Sequence, residues 1–211
     1  VHFELNRALM LDRRMSRHSG ILRRDLKAGT LTEQQERKRQ RANDRLREWD
    51  GSVTYVHTPG WTMERVMGEV GSLVAEDLCD VFIIDYLEKA AASNRQLKSF
   101  GHNVFAREAD TVEVVKRTAE SLERPAFLLA QLNKSGKQQS FDMLDRTAIR
   151  GAGEKTEKAN IVVLLHKESS EDHIVKVRID KNTMGPCGTF EQYMEGARFL
   201  VTDIERKDIH L

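Results

Sequence analysis

Chemistry is first legible in this sequence at Asp85, which closes the apolar run Val81, Phe82, Ile83 and Ile84. A strand buried on both faces of a parallel sheet reads this way. A carboxylate held at the rigid end of such a strand can orient the water shell of Mg²⁺ beside nucleotide phosphates, which is the Walker B pattern. The same Asp can equally cap the turn that follows, and four apolar residues do not decide between the two. A second apolar run, Ala126 to Ala130, ends in Gln131, whose amide can contact a ligand or tie neighbouring strands together.

These two side chains must be positioned by the elements around them. Val1 to Leu5 reads as a short strand entering a helix on which Leu9, Leu11 and Met15 share a face. After Gly20 and a second helical piece, Thr32 and Gln35 form a capping-box pair that opens a charged, peripheral helix to about Trp49. Ser52 to His57 alternates as a strand does, Pro59 and Gly60 make a turn, and Thr62 caps a helix to roughly Leu78. Ala90 to Asn103 is polar without a clear period and reads as a loop. Val112, Val115, Ala119 and Leu122 mark a helix that stops before Pro125. Asn133 to Gly153 is a long polar loop, and Ile161 to Leu165 is a third buried strand. Strands separated by helices predict a parallel sheet with ligands at the strands' carboxyl ends, where Asp85 and Gln131 both fall. Ile174 to Ile179, a turn through Gly185, Pro186 and Gly188, and Phe199 to Thr202 predict an antiparallel ribbon at the sheet edge.

Composition narrows the function classes. With 39% hydrophobic residues the 211-residue chain can bury a core, and with 32% charged residues it has no apolar run long enough for a membrane span. Cys79 and Cys187 are isolated, so neither a zinc site nor a disulfide framework is supported, and a reducing cytoplasm fits. Thirty-four basic residues balance thirty-three acidic ones, so nucleic-acid binding has to come from local patches. Leu11 to Asp50 holds twelve Lys or Arg against seven Asp or Glu, which reads first as a solvated helical face with internal ion pairs. The opening on Val1 rather than Met, without leader-like patterning, reads as a piece of a longer chain.

In chain order, five blocks resemble the C-terminal motor domain of DnaB-type replicative helicases, from Val1 to about Glu205. They are Phe3 to Asn6 with the helical Leu9 to Met15; VFIIDYL at Val81 to Leu87; FLLAQLNK at Phe127 to Lys134; IRGAGEKTEKAN at Ile149 to Asn160; and KNTMGPCGT at Lys181 to Thr189. The resemblance implies an α/β, RecA-like three-layer fold over residues 1–211, with a mainly parallel sheet and an antiparallel C-terminal edge ribbon. It implies ATP and Mg²⁺ as cofactors in the intact protein. Partners would be single-stranded DNA, further copies in a hexameric ring, and a primase and a helicase loader.

Carried over position by position, Glu4 becomes the general base that polarises the attacking water, and Asp85 the Mg²⁺-water ligand. Gln131 becomes the γ-phosphate sensor and Lys181 the cation acting on a neighbouring subunit's site. Arg150, Gly151 and Gly153 align with a DNA-facing loop, and Lys89, Arg95 and Lys98 are candidates for a second channel loop. Glu4 could also be an ordinary helix-initiating residue, and the basic loop residues could simply be solvated. The reading requires Glu4, Asp85 and Gln131 to share one rim of one parallel sheet.

The sequence departs from the family pattern at two points. The phosphate-binding signature GxxxxGK followed by Ser or Thr is nowhere in the chain; in the family it lies upstream of the strand that opens this sequence, so truncation explains its absence better than divergence. The position of the family's arginine finger holds Thr183, so that either Lys181 acts alone, or another Arg such as Arg178 substitutes, or the intact protein hydrolyses slowly. Competing readings are another RecA-like ATPase of the recombinase or clock type, and a degenerate module that only assembles or binds DNA. The insertion before Ser52 and the turn at Thr58 to Gly60 favour the helicase. The purified 211-residue chain is accordingly expected neither to bind nor to hydrolyse ATP appreciably; strong turnover in a phosphate-release assay would refute this.

Overall fold

In the computed structural model, the run after Val81 forms strand β1 (Phe82–Ile84), which pairs in parallel with β2 (Ala126–Leu128), Phe82 opposite Ala126 and Ile84 opposite Leu128. The first residues of the chain lie on the other side of β1. His2 forms parallel bridges to both Asp85 and His57. Phe3 N donates to Asp85 O (3.2 Å) and Asp85 N to Val1 O (3.0 Å), while His2 N donates to Val56 O and Thr58 N to His2 O (both 2.9 Å). Four extended stretches thus run parallel in the order 56–58, 1–3, β1, β2.

The structure describes residues 1–48, 52–133, 136 and 139–204. Trp49, Asp50, Lys134 and Glu205, which bound or belong to segments read from the sequence, lie outside them. The chain forms two compact units, the first made of Val1–Asn6, Tyr55–Val162 and Asp180–Pro186, the second of Arg7–Thr54, Val163–Ile179 and Cys187–Leu211.

The core of the first unit lies on one face of its parallel strands. Helix α4 (Met63–Ala75) starts where Thr62 Oγ1 accepts from Arg65 N, and it buries Met63, Val66, Met67 and Val70 at helical spacing. These pack with Phe3, Phe82, Ile84 and, from α6 (Val104–Leu122), Val115. Each buried side chain of this size contributes about 1.5–3 kcal/mol, so this cluster holds the strand ends in place. Helix α4 stops three residues before the expected Leu78, because Asp77 takes a left-handed backbone (φ 58°) and Leu78 N turns back to Leu73 O (2.8 Å). Helix α6 closes in the same way, with Glu123 at φ 53° just before Pro125.

Three expectations need correction. β1 is buried on one face only, since Val81 and Ile83 are exposed, as are Phe127 and Leu129 beside them. The alternation was hidden because both faces carry apolar residues. β3 (Ile161–His166) likewise alternates, with Val162, Leu164 and His166 buried and Ile161, Val163 and Leu165 exposed; it belongs to a second sheet of order β3-β4-β5-β6 and not to that of β1 and β2. The polar segment after Lys89 is also not simply a loop. It contains α5 (Asn94–Phe100), opened by a reciprocal capping box between Ser93 and Gln96.

Gln96 explains why a polar segment becomes ordered. It is 2% exposed, and its Nε2 faces Asp110 Oδ2 (2.8 Å), Thr111 Oγ1 (3.0 Å) and Arg107 O (3.1 Å), all on α6. Arg95 beside it pairs with Asp110 and Glu64. Buried polar groups that find partners fix a helix as firmly as apolar ones.

In the second unit, α1 (Arg7–Ser19) is followed by α2 (Arg23–Ala28) and α3 (Glu33–Glu48), the helices of the charged insertion. Thr32 and Gln35 do cap α3: Gln35 N donates to Thr32 Oγ1 (3.3 Å) and Thr32 N to Gln35 Oε1 (2.9 Å). Its charges form intrahelical pairs, Glu33 with Arg37 and Glu36 with Arg39, and Ala42 is its one buried residue among those described, so this face is solvated. The ribbon pairs β4 (Ile174–Asn182) antiparallel with β5 (Gly188–Glu195), and β5 with β6 (Leu200–Asp203). Strand β5 is additional to the sequence reading; its charged and polar residues mask the alternation.

Gln96→Leu leaves the Arg107 carbonyl, Asp110 and Thr111 without this donor, and should lower the unfolding free energy by about 2 kcal/mol at unchanged m-value in urea; a loss under about 0.5 kcal/mol would show that the amide does not hold α5.

Candidate functional site

Pairing along the parallel strands sets where each candidate side chain stands. Phe3 is bonded to Asp85, so Glu4 emerges one residue past the end of its stretch, next to the carboxyl end of β1. On the other side, Leu129 N donates to Ile84 O (3.0 Å) and Leu87 N to Leu129 O (2.9 Å), which brings Gln131 out at the same end of β2. Glu4, Asp85 and Gln131 therefore occupy the carboxyl ends of three neighbouring parallel stretches. The Asp85–Tyr86 peptide at this rim is cis.

Their partners differ. Asp85 Oδ2 lies 3.1 Å from His2 Nδ1 and is partly open to solvent. Glu4 is exposed and is reached by Lys89 Nζ (2.5 Å) and by the Tyr86 hydroxyl, which donates to it at 3.3 Å. The Lys89 hydrogen bond holds the Glu4 carboxyl below its usual range, and the Glu4 hydrogen bond raises Lys89 in return. Glu4 is thus kept ionised, with the Lys89 ammonium and the Tyr86 hydroxyl against its carboxylate. Lys89, read as a channel-loop residue, stands at the rim in a 3-10 turn (Leu87–Lys89).

The other two residues of the proposed channel loop lie on α5. Arg95 is engaged with Asp110 and Glu64. Burial opposes ionisation of Asp110, but hydrogen bonds from Arg95 and Gln96 outweigh it and leave the carboxyl lowered. Glu64 is lowered against burial in the same manner, with its own backbone N–H, Ser93 and Arg95 as donors. Lys98 stands exposed in the last turn.

Gln131 and Arg150 are joined directly, since Arg150 N donates to Gln131 O (3.0 Å) and Leu132 bridges Ile149 antiparallel. The loop between them is less irregular than it reads. It has 3-10 turns at Phe141–Met143 and Arg146–Ala148, fully buries Leu144, and runs into α7 (Ala152–Lys158). Gly151 is the N-cap of α7 at φ +64°, and a Cβ there would stand 2.9 Å from the Phe105 ring. Its glycine is explained by this packing as well as by any approach of a ligand. Gly153 faces open space.

Beneath this loop lies a buried charge cluster absent from the sequence reading. Lys155 Nζ contacts Glu108 Oε2 (2.7 Å) and Glu88 Oε1 (3.5 Å) and donates to Arg150 O (2.6 Å). Single-sequence reasoning assigns such residues to a solvated face, and no local signal distinguishes them. Lys181, the candidate trans-acting cation, donates from Nζ to Thr156 O (3.0 Å) and Glu157 O (2.8 Å), the last-turn carbonyls of α7. It would have to release them to reach a neighbouring subunit. Thr183 is exposed and bonded by its backbone N–H to Asn160 O. Arg178, the alternative cation, lies on β4 in the second unit.

Comparison with known proteins gives the family and the fold. Residues 1–199 match a family model described as the DnaB-like helicase C terminal domain. The replicative DNA helicase DnaB of Treponema pallidum (strain Nichols) is 23% identical over 188 residues, covering 89% of this chain and 40% of that protein. That of Geobacillus stearothermophilus is 26% identical over 140 residues, 64% of this chain and 30% of that protein. Measured on these two, the chain spans well under half of the relatives' length. A solved DnaB-like replicative helicase, described with its interactions with primase, superposes with a TM-score of 0.83 at 16% identity over 97% of this chain and 49% of that one. A solved ATPase domain gives 0.81 at 17% identity, covering 97% of this chain and 73% of its own. The fold is the RecA-like one, with a parallel and an antiparallel sheet.

The two loop glycines should separate in a stability assay. Gly151→Ala forces a left-handed alanine against Phe105 and should cost about 2 kcal/mol, whereas Gly153→Ala, inside α7 with open space around it, should be neutral or gain up to about 1 kcal/mol. Equal denaturation midpoints for the two variants would contradict the packing described for Gly151.

Proposed function

Because the chain belongs to the DnaB-like helicase C-terminal domain family, we propose that it is the motor part of a replicative DNA helicase that couples ATP hydrolysis to movement along single-stranded DNA and to duplex unwinding. The observation that carries this reading is the shared rim: Glu4, Asp85 and Gln131 follow the carboxyl ends of three neighbouring parallel stretches, and the Gln131 carbonyl accepts from Arg150 N on the following loop.

The rim suits Mg²⁺, a hard cation that keeps its water and takes oxygen ligands. Asp85 offers a partly open carboxylate there, oriented by His2. When bound with ATP, the ion would neutralise charge on the β- and γ-phosphates. This chain's own residues do the rest. Asp85 orients the water shell. Glu4 accepts a proton from the attacking water once Lys89 releases it. Gln131 registers the phosphate end, and its displacement passes by one backbone hydrogen bond to Arg150, Gly151 and Gly153 on the DNA side. Lys181 acts on the next copy's site within a ring, which we take to be hexameric. Primase and a helicase loader are its proposed partners and the cytoplasm its proposed place. Among the described residues, no helix is long and apolar enough to cross a membrane.

Lys89 and Arg95 contribute to DNA contact in this scheme only after leaving Glu4 and Asp110, so Arg150 is the principal DNA contact. Thr183, a neutral side chain where the family has its arginine finger, keeps open a second reading, a non-catalytic assembly or DNA-binding module. In the intact protein, Asp85→Asn and Lys181→Ala should each reduce DNA-stimulated ATP turnover about a hundredfold or more while retaining binding to oligo-dT. If turnover is unchanged in both, the motor assignment fails; if wild type binds DNA without any turnover, the second reading stands.

A further inference from the structure

We propose that Lys155 is a positioning residue that locks the Arg150 loop to the nucleotide rim through Glu88 and Glu108. The proposal rests on the motor reading for its consequence and on geometry for its content. The side chains of Lys155, Glu88 and Glu108 are 4%, 5% and 10% exposed, so this is a buried cluster and not a surface pair. The ammonium donates to Glu108 Oε2 and to the carbonyl of Arg150, and it forms an ion pair with Glu88 Oε1 at 3.5 Å.

Each acceptor leads to a different part of the machinery. Glu88 Oε1 also accepts from Gln131 N (3.3 Å), so one carboxylate oxygen joins Lys155 to the backbone of the candidate phosphate sensor. Glu108 Oε1 lies 3.9 Å from Arg150 Nη2, so the loop's guanidinium faces the same carboxylate that Lys155 holds. Arg150 N meanwhile donates to Gln131 O (3.0 Å). Glu88 is also the immediate neighbour of Lys89, which reaches back to Glu4. The turn Leu87–Lys89 therefore binds the base side of the rim with one residue and the sensor and DNA loop with the next.

Packing alone does not account for a lysine here. Apolar side chains of similar volume would join α6 and α7 without the cost of burying ions. What the charges add is direction, since an ammonium fixes the orientation of one peptide carbonyl and two carboxylates, and with them the pose of Arg150. Lys155 itself stays out of contact with DNA and with the reacting atoms.

The test uses the intact protein carrying Lys155→Met, Lys155→Arg or Glu88→Gln, with hydrogen exchange over residues 149–153 and oligo-dT affinity as a function of salt. Lys155→Met should raise exchange in this segment at least about tenfold. It should also weaken oligo-dT binding about tenfold and reduce the salt slope by about one. Lys155→Arg, which keeps the charge, should recover most of both. Glu88→Gln keeps the shape of the side chain and the Lys155 to Glu108 pair, and should give an intermediate rise in exchange; it carries the test if Lys155→Met does not fold. Wild-type exchange in folded Lys155→Met, or in Glu88→Gln where Lys155→Met does not fold, overturns the proposal, as does equal impairment of the Met and Arg variants. Should wild type itself not bind oligo-dT, the motor reading is what fails, and the exchange comparison still decides the role of Lys155.

Discussion

Three residues at the start of the chain, paired on both sides, hold the first unit in register. A backbone stretch inside a sheet has no water to satisfy its N–H and C=O groups, so each must meet a strand neighbour. Val1, His2 and Phe3 meet this requirement by bonding to 56–58 on one side and to Asp85 on the other. A slip by one residue would turn Phe3 out of the cluster with Val66 and Ile84 and turn Glu4 into it. The hydrophobic preference of Phe3 thus decides where the carboxylate of the next residue emerges. Packing, through register, delivers the chemistry.

Once delivered, the two carboxylates at the rim are kept distinct by their partners. Glu4 has an ammonium and a phenol within reach, while Asp85 has an imidazole. Neighbouring carboxylates with different companions take different roles, because the interaction that favours one charge is not shared by the other. The short turn Leu87–Lys89 ties the Glu4 and Gln131 ends of the rim together, since Lys89 reaches Glu4 and its neighbour Glu88 accepts from Gln131 N.

Much of this was legible in the residues. The capping pair Thr32 and Gln35, the helix start at Thr62 and the strand ends at Asp85 and Gln131 all rest on local rules: a side-chain oxygen for an orphan N–H, or an apolar run that stops at a polar residue. What escaped depends on partners far along the chain. Gln96 looks like a loop glutamine until Arg107 and Thr111 are placed beside it. Lys155 looks solvated until Glu88 and Glu108 close around it. Ile83 and Phe127 have the composition of buried strand residues, and only the coordinates reveal that their face of the sheet is open. Periodicity cannot report which face is covered when both faces are apolar.

The buried cluster also constrains how this sequence can change over generations. Removing Lys155 strands Glu88 and Glu108 as uncompensated carboxylates in a dry setting, at a cost of about 3–5 kcal/mol, a large share of the stability of an ordinary domain, whereas removing either carboxylate leaves the lysine paired with the other. Exchanging the set together for apolar residues carries no such penalty. Loss of the lysine first is therefore closed while loss of one carboxylate is open, and related chains that lack this lysine should lack the two carboxylates as well.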